Sequence, residues 1–354
     1  MTDQMRTSTR DLEELREQVA GWLRGRVGAS ASVSELSRPT TNGMSSETLF
    51  FTATWGEGRT RCVARLAPAG EAVPVFPSYD LRAQFEIMRL AREKAGIPAP
   101  RALWFEPDPG PLGTPFLVME RAEGEVPPDV MPYTFGGWLC DAAPEDQRRL
   151  QDAGVGILAA LHQTSFTREE LAPLGTAAGL RAHVEAAYAY YEWAHGERRI
   201  PLLERAFDWL ESHWPADPGP DVLCWGDARI GNMMFQDFTP VAVLDWEMAA
   251  VGPRELDLSW MIFLHRFFQD LTVAIDLPGM PGFMRRDDVC RTYRKITGYE
   301  PRDMDFYEMY AALRHGIIMA RVWQRRIHFG EQPVPDDPDD LVLHRATIER
   351  LLTG

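Results

Sequence analysis

The sequence predicts an α+β protein of two lobes, a small antiparallel β lobe followed by a larger, mainly helical one. Three observations carry this. Up to about residue 120, short β-like stretches alternate with turn signals rich in Gly, Asn and Pro. Beyond it, apolar residues recur at helical spacing in seven segments. The chain of 354 residues also stands near the practical limit for a single hydrophobic core. The expected division is an N-terminal helix over 1–30, a first lobe over 31–120 and a helical lobe over 121–354, with a cleft between the lobes.

The opening segment 10–27 places Leu12, Leu15, Val19, Trp22 and Leu23 on one helical face, with Asp11, Glu13 and Glu14 at the end where the helix dipole favours acid. Stretches 32–38, 47–55 and 60–66 read as strands of an antiparallel meander, separated by the turns Thr41-Asn42-Gly43 and Gly56-Glu57-Gly58. A helix over 79–95 follows, closed by Gly96 and Pro98, and then strands over 101–106 and 115–119. In the second lobe, helices are expected over 145–164, 179–195, 201–214, 255–269, 283–297, 303–328 and 339–352. Within 221–247 the apolar runs VLCW, NMMF and VAVLDW read as a small β-hairpin set inside helical surroundings. The acidic run Pro335–Asp340 reads as a solvated loop.

Charge excludes some functions. The formal net charge is −15, and nearly all of it lies after residue 120, which argues against a nucleic-acid partner. The cysteines, Cys62, Cys140, Cys224 and Cys290, form no C-x-x-C pair, so neither a disulfide scaffold nor a cysteine-rich zinc site is expected. No apolar run reaches membrane-spanning length and the N-terminus is polar, so a cytoplasmic protein with no membrane partner is expected. The 37 basic residues include two lysines, Lys94 and Lys295, which limits any chemistry that needs a lysine.

The segment that carries chemistry runs from Leu223 to Phe235, with Val241–Glu247 after it. Asp227 and Asn232 sit five apart in a turn between two apolar runs, and Asp245 closes the next run. Turn residues at strand ends converge on a small volume while the strands hold them rigid, as an oxygen-ligand cation site requires. Asn232 and Asp245 suit Mg²⁺, which takes few protein ligands and keeps places for water and phosphate. Asp227 is left to accept a proton or orient a hydroxyl.

The pattern G-D-x-x-x-x-N followed by a strand ending in Asp resembles the catalytic and metal-binding loops of the aminoglycoside phosphotransferase family, which shares the protein-kinase-like fold. Gly226-Asp-Ala-Arg-Ile-Gly-Asn232 and Leu244-Asp-Trp-Glu247 are similar to the branch of phosphotransferase domains associated with acyl-CoA dehydrogenases. Upstream, Gly113–Arg121 resembles the inter-lobe hinge and Arg61-Cys-Val-Ala-Arg-Leu66 the third strand. The resemblance implies an ATP- and Mg²⁺-dependent transfer of phosphate to a small-molecule hydroxyl. It gives Asp227 the catalytic-aspartate role, Asn232 and Asp245 the metal, and the hinge residues Met119 and Arg121 the nucleotide. Arg65 replaces the usual strand lysine and is expected to pair with Glu86 and contact phosphate, as the branch also bears arginine there. Gly43, with Ser45 and Ser46, is expected to cap phosphates, although the loop lacks the G-x-G-x-x-G pattern.

The resemblance leaves the acceptor open between an aminoglycoside and a hydroxyacyl-CoA or other hydroxylated metabolite. Acidic residues such as Asp270, Asp276, Glu331 and Asp336 would suit a polycation; arginines such as Arg198, Arg199, Arg285, Arg286, Arg325 or Arg326 would suit an anion. A nucleotide-binding pseudokinase is the alternative of another class. His162, on an apolar helix face, reads as a core histidine, Asp257 as a brace for the catalytic loop, and Arg229 and Glu247 as flanking residues.

Overall fold

The computed structural model describes residues 10–39, 47–68 and 73–353. The chain divides into two compact units, the first from Met1–Arg92 and Ala99–Ala122, the second from Glu93–Pro98 and Glu123–Gly354. The segment 1–30, set apart by its sequence, falls within the first unit.

In the first unit, α1 (Leu12–Val27) is opened by Asp11, whose carboxylate accepts from the Glu13 and Glu14 amides at 2.8 and 3.0 Å. Its buried stripe, Leu15, Val19, Ala20 and Leu23, lies against one face of a five-stranded antiparallel sheet of order β1-β2-β3-β5-β4. These strands are β1 (Ser32–Val33), β2 (Glu47–Trp55), β3 (Gly58–Leu66), β4 (Ala102–Glu106) and β5 (Phe116–Glu120). The face toward α1 is lined by Leu49, Phe51, Ala53, Cys62, Ala64, Leu66, Phe116 and Val118. The strand expected over 32–38 shrinks to two residues, because beyond Val33 pairing to β2 is reduced to a bond from the Ser34 amide to the Thr52 carbonyl and a bridge from Ser37 to Phe50. Between β3 and β4 runs α2 (Leu81–Ala95).

The second unit holds α3 (Pro144–Gln163), α4 (Gly179–Ala194), α5 (Pro201–Ser212), α6 (Glu255–Val273), α7 (Arg286–Thr297), α8 (Met304–His328) and α9 (Arg345–Thr353). Set among these are β6 (Asp221–Cys224), β7 (Met233–Gln236), β8 (Thr239–Val243) and β9 (Ala250–Pro253). The hairpin expectation needs correction. β7 and β8 do pair, but β6 pairs with β9, a strand the sequence did not announce. β8 also stops at Val243, and Asp245 takes a left-handed conformation, φ 59°, that ends the strand before it.

Two helix starts differ as well. The helix expected from 283 begins at Arg286, since Met284 at φ 48° cannot be helical. The helix expected from 339 begins at Arg345, after a 3₁₀ turn over Pro338–Leu341. The acidic loop before it is not wholly solvated: Asp339 is buried and accepts from the Leu202 amide at 2.8 Å, satisfying an orphan donor in the first turn of α5. Among the described residues no helix is long and apolar enough to cross a membrane.

Candidate active site

The site is built on the turn after β6. Asp257, on α6 and fully buried, accepts from the Trp225 amide at 2.7 Å and the Gly226 amide at 2.8 Å, one on each carboxylate oxygen. His162 Nε2 donates to the same carboxylate at 3.1 Å while its Nδ1 meets the Tyr293 hydroxyl at 2.9 Å, so both ring nitrogens are satisfied in the core. Asp257 is thus the expected brace and His162 the expected core histidine. Gly226 sits at φ 89°, and a Cβ there would lie 1.8 Å from the Met248 carbonyl oxygen, so no other residue fits the turn.

Asp227 follows, with its carboxylate held by three side chains. Trp260 Nε1 donates at 2.7 Å, Asn232 Nδ2 at 2.6 Å, and Arg229 Nε at 3.1 Å. Arg229 also pairs with Asp129. Burial opposes the Arg229 charge, but the carboxylates of Asp227 and Asp129 outweigh it and raise its pKa above the usual arginine value. Arg229 therefore stays a fixed cation beside Asp227.

Asn232 is buried, and its carbonyl accepts from the Leu244 amide at 2.8 Å. Trp225 Nε1 donates to the Leu244 and Asp245 carbonyls, both at 3.0 Å. The turn that carries Asp227 and Asn232 is therefore tied to the backbone of Asp245. With its Nδ2 engaged by Asp227, the Asn232 amide keeps Oδ1 as an acceptor that no donor meets among the described residues. An amide oxygen and a carboxylate form the all-oxygen donor set that a hard cation such as Mg²⁺ takes. His162, Cys224 and Asp257 also lie close together, but the histidine and carboxylate are bonded as above and the thiol faces the Gly252 and Pro253 carbonyls. Burial pushes that thiol well above its ordinary pKa, away from the ligating thiolate.

In the first unit, Arg65 pairs with Leu117 across β3 and β5, placing it and Met119 on the sheet face opposite α1. Phe50 shares that face, and the exposed Arg121 guanidinium stands 4.2 Å over its ring. Glu86, on α2, bonds to Arg89 one turn on, at 3.1 Å. Gly43, Ser45 and Ser46 lie outside the described residues.

Trp260 and Asp129 escaped the sequence reading. Trp260 lies three residues after Asp257 on α6, so helical spacing aims both at the turn that carries Asp227. Asp129 carries no such signal. The second unit also contains a cavity of about 350 Å³ along α6, lined among others by Ile262, Arg266, Phe283, Arg285, Arg286 and Glu308. Two of the arginines that would suit an anion thus line a pocket, and Asp270 instead bonds to Thr347.

The model of the phosphotransferase enzyme family matches residues 38–286. Human acyl-CoA dehydrogenase family member 11 is 27% identical over 199 residues, 56% of this chain and 24% of that protein. Mouse acyl-CoA dehydrogenase family member 10 is 25% identical over 278 residues, 75% of this chain and 24% of that one. The chain spans about a quarter of the length of these curated relatives. Among solved structures, a Ralstonia eutropha protein assigned to the aminoglycoside phosphotransferases superposes with a TM-score of 0.69 at 19% identity, covering 95% of this chain and 96% of that one. A ternary complex of aminoglycoside phosphotransferase APH(4)-Ia with ADP and hygromycin B gives 0.57 at 14% identity, covering 95% and 98%. A choline/ethanolamine kinase family protein from Mesorhizobium loti gives 0.56 at 15%, covering 97% and 95%. These likenesses establish a kinase-like α+β fold.

Proposed function

The chain belongs to the phosphotransferase enzyme family, and from that premise we propose that it transfers the terminal phosphoryl group of ATP, with Mg²⁺, to a hydroxyl of a small molecule. The observation that carries this reading is the single turn in which Asp227 and Asn232 bond to each other, while Asn232 and Trp225 bond to the backbone of Leu244 and Asp245. Phosphoryl transfer asks for positioning and charge neutralisation more than for covalent catalysis. Asp227 receives the acceptor hydroxyl. As its oxygen bonds to the terminal phosphorus and the bond to the bridging oxygen breaks, ADP leaves and the hydroxyl proton passes to the Asp227 carboxylate. Trp260, Arg229 and Asn232 keep that carboxylate aimed. Mg²⁺, held by Asn232 and Asp245, would neutralise phosphate charge.

Arg65, with Glu86, is assigned to the ATP phosphates, and Met119 and Arg121 to the base end. The support is that Arg65, Met119 and the ring beneath Arg121 share one sheet face. Gly43, Ser45 and Ser46 are assigned to capping the phosphates. The acceptor classes differ in charge: the solved neighbour with hygromycin B supports an aminoglycoside, and the acyl-CoA dehydrogenase relatives support a hydroxyacyl-CoA or related metabolite.

The test measures ADP release with aminoglycosides, hydroxy acids and hydroxyacyl-CoAs, for the native chain and Asp227→Ala. Turnover with one class, lost in the variant, is expected. ATP binding without any stimulation would leave a non-catalytic nucleotide binder, and no ATP binding at all would remove the reading.

A further inference from the structure

The cavity along α6 has no role in the chemistry above, yet two of its wall residues also border the turn that carries Asp227. His265 and Met284 line it and also line a narrow gap with Arg229 and Gly231. α6 presents Trp260 to Asp227 and Arg266 to the cavity, a displacement of roughly 9 Å along the axis. The far wall is fastened rather than loose: Gln269 bonds to the Pro278 carbonyl and the Met280 amide, and Gln151 to the Met284 amide.

The charges in the cavity are unevenly matched. Buried Glu308 binds Arg286 and meets Arg266 at 3.4 Å, and Arg286 has a second carboxylate in Asp305 at 2.7 Å. Arg285, exposed at the start of α7, has no carboxylate partner among the described residues. His265 adds no charge near neutral pH, because burial pushes its pKa down to about 4. The lining thus carries three arginines and two carboxylates, Glu308 and Asp287, among apolar Ile262, Phe283 and Met284, while Asp305, outside the lining, is taken up by Arg286. A volume of about 350 Å³ is at the small end of ligand pockets, which begin near 300 Å³.

We propose that this cavity is the acceptor pocket and that Arg285 selects acceptors with an anionic group on a compact apolar body, the carboxylate of a hydroxy acid or the phosphate of a larger carrier. This rests on the phosphotransferase reading and goes beyond it in fixing the sign of the acceptor's charge. Arg285 is a specificity residue that leaves the Asp227 chemistry alone.

The experiment compares 3-hydroxyoctanoate, its methyl ester, its CoA thioester and kanamycin as acceptors, with native protein, Arg285→Ala and Arg285→Lys. A lost charge-assisted contact should raise the KM of the anionic acceptor by about 10- to 100-fold. The KM of ATP should stay unchanged, the lysine variant should recover part of the loss, and the methyl ester should be poor in all three proteins. Preference for the free acid identifies a carboxylate, and preference for the thioester a phosphate. Turnover that ignores Arg285, or that is confined to kanamycin, overturns the inference and leaves the phosphotransferase standing. If no acceptor is turned over, the phosphotransferase reading fails. Calorimetric titration of 3-hydroxyoctanoate and its CoA thioester then decides the pocket: binding lost in Arg285→Ala upholds it, and binding of neither compound overturns it.

Discussion

Asp257→Asn isolates the brace beneath the turn that carries Asp227. The substitution keeps the shape but replaces one acceptor oxygen by an NH₂ group. In its better orientation the remaining oxygen still meets the Trp225 amide and His162 Nε2, while the NH₂ group faces the Gly226 amide, donor against donor. An orphaned buried N–H costs about 1–3 kcal/mol, and turning each of the two surviving bonds from charged to neutral acceptance costs about 1 kcal/mol more. The local loss is therefore roughly 3–5 kcal/mol. At about 1.4 kcal/mol per tenfold, hydrogen exchange at the Trp225 and Gly226 amides should accelerate by about 10²- to 10⁴-fold. It should do so while helices remote from the turn keep their protection, and turnover should fall because Asp227 is the next residue. Native exchange at 225–226 together with native turnover would refute the brace.

Two further outcomes follow from the geometry. Gly226→Ala should remove most activity and destabilise the second unit by several kcal/mol, read by chemical denaturation, since its Cβ would lie 1.8 Å from the Met248 carbonyl at a φ of 89°; a variant melting like the native chain would contradict the turn. Acid should weaken the fold early: burial holds His265 and His344 near pKa 4, below their unfolded value of about 6.5, so the unfolded chain binds more protons between those values. Stability should be full above pH 6.5 and fall as pH drops toward 4, by roughly 3 kcal/mol per histidine at the limit, and a flat denaturation profile from pH 6.5 to 5 would refute that burial.

The legible parts of this chain are those written in local pattern. Alternation in 47–55 and 60–66 with Gly-rich turns found β2 and β3, and helical spacing found α1 and α6. Asp227 and Asn232 meet because one short turn holds both, and the backbone of Asp245 is tied to that turn, so proximity in sequence becomes proximity in space. What escaped depends on distant partners. β9 is a four-residue segment defined by pairing with β6, 26 or more residues upstream. Asp339 looked like surface acid until the first turn of α5 needed an acceptor. The arginines offered for an anion were equivalent by composition, and only the seating of α7 against α6 places Arg285 and Arg286, with Arg266, around one cavity. Local pattern fixes elements and short-range chemistry, whereas the acceptor's surroundings are assembled from three separate segments of the chain.

The most direct test of the central claim is acceptor-dependent ADP release, measured for the native chain and Asp227→Ala alongside ATP binding. A fall in kcat of about 10²- to 10⁴-fold with ATP affinity largely retained is expected, since an aspartate proposed to serve the acceptor hydroxyl leaves nucleotide binding alone. Undiminished turnover in Asp227→Ala, with the variant folded and binding ATP, would contradict it.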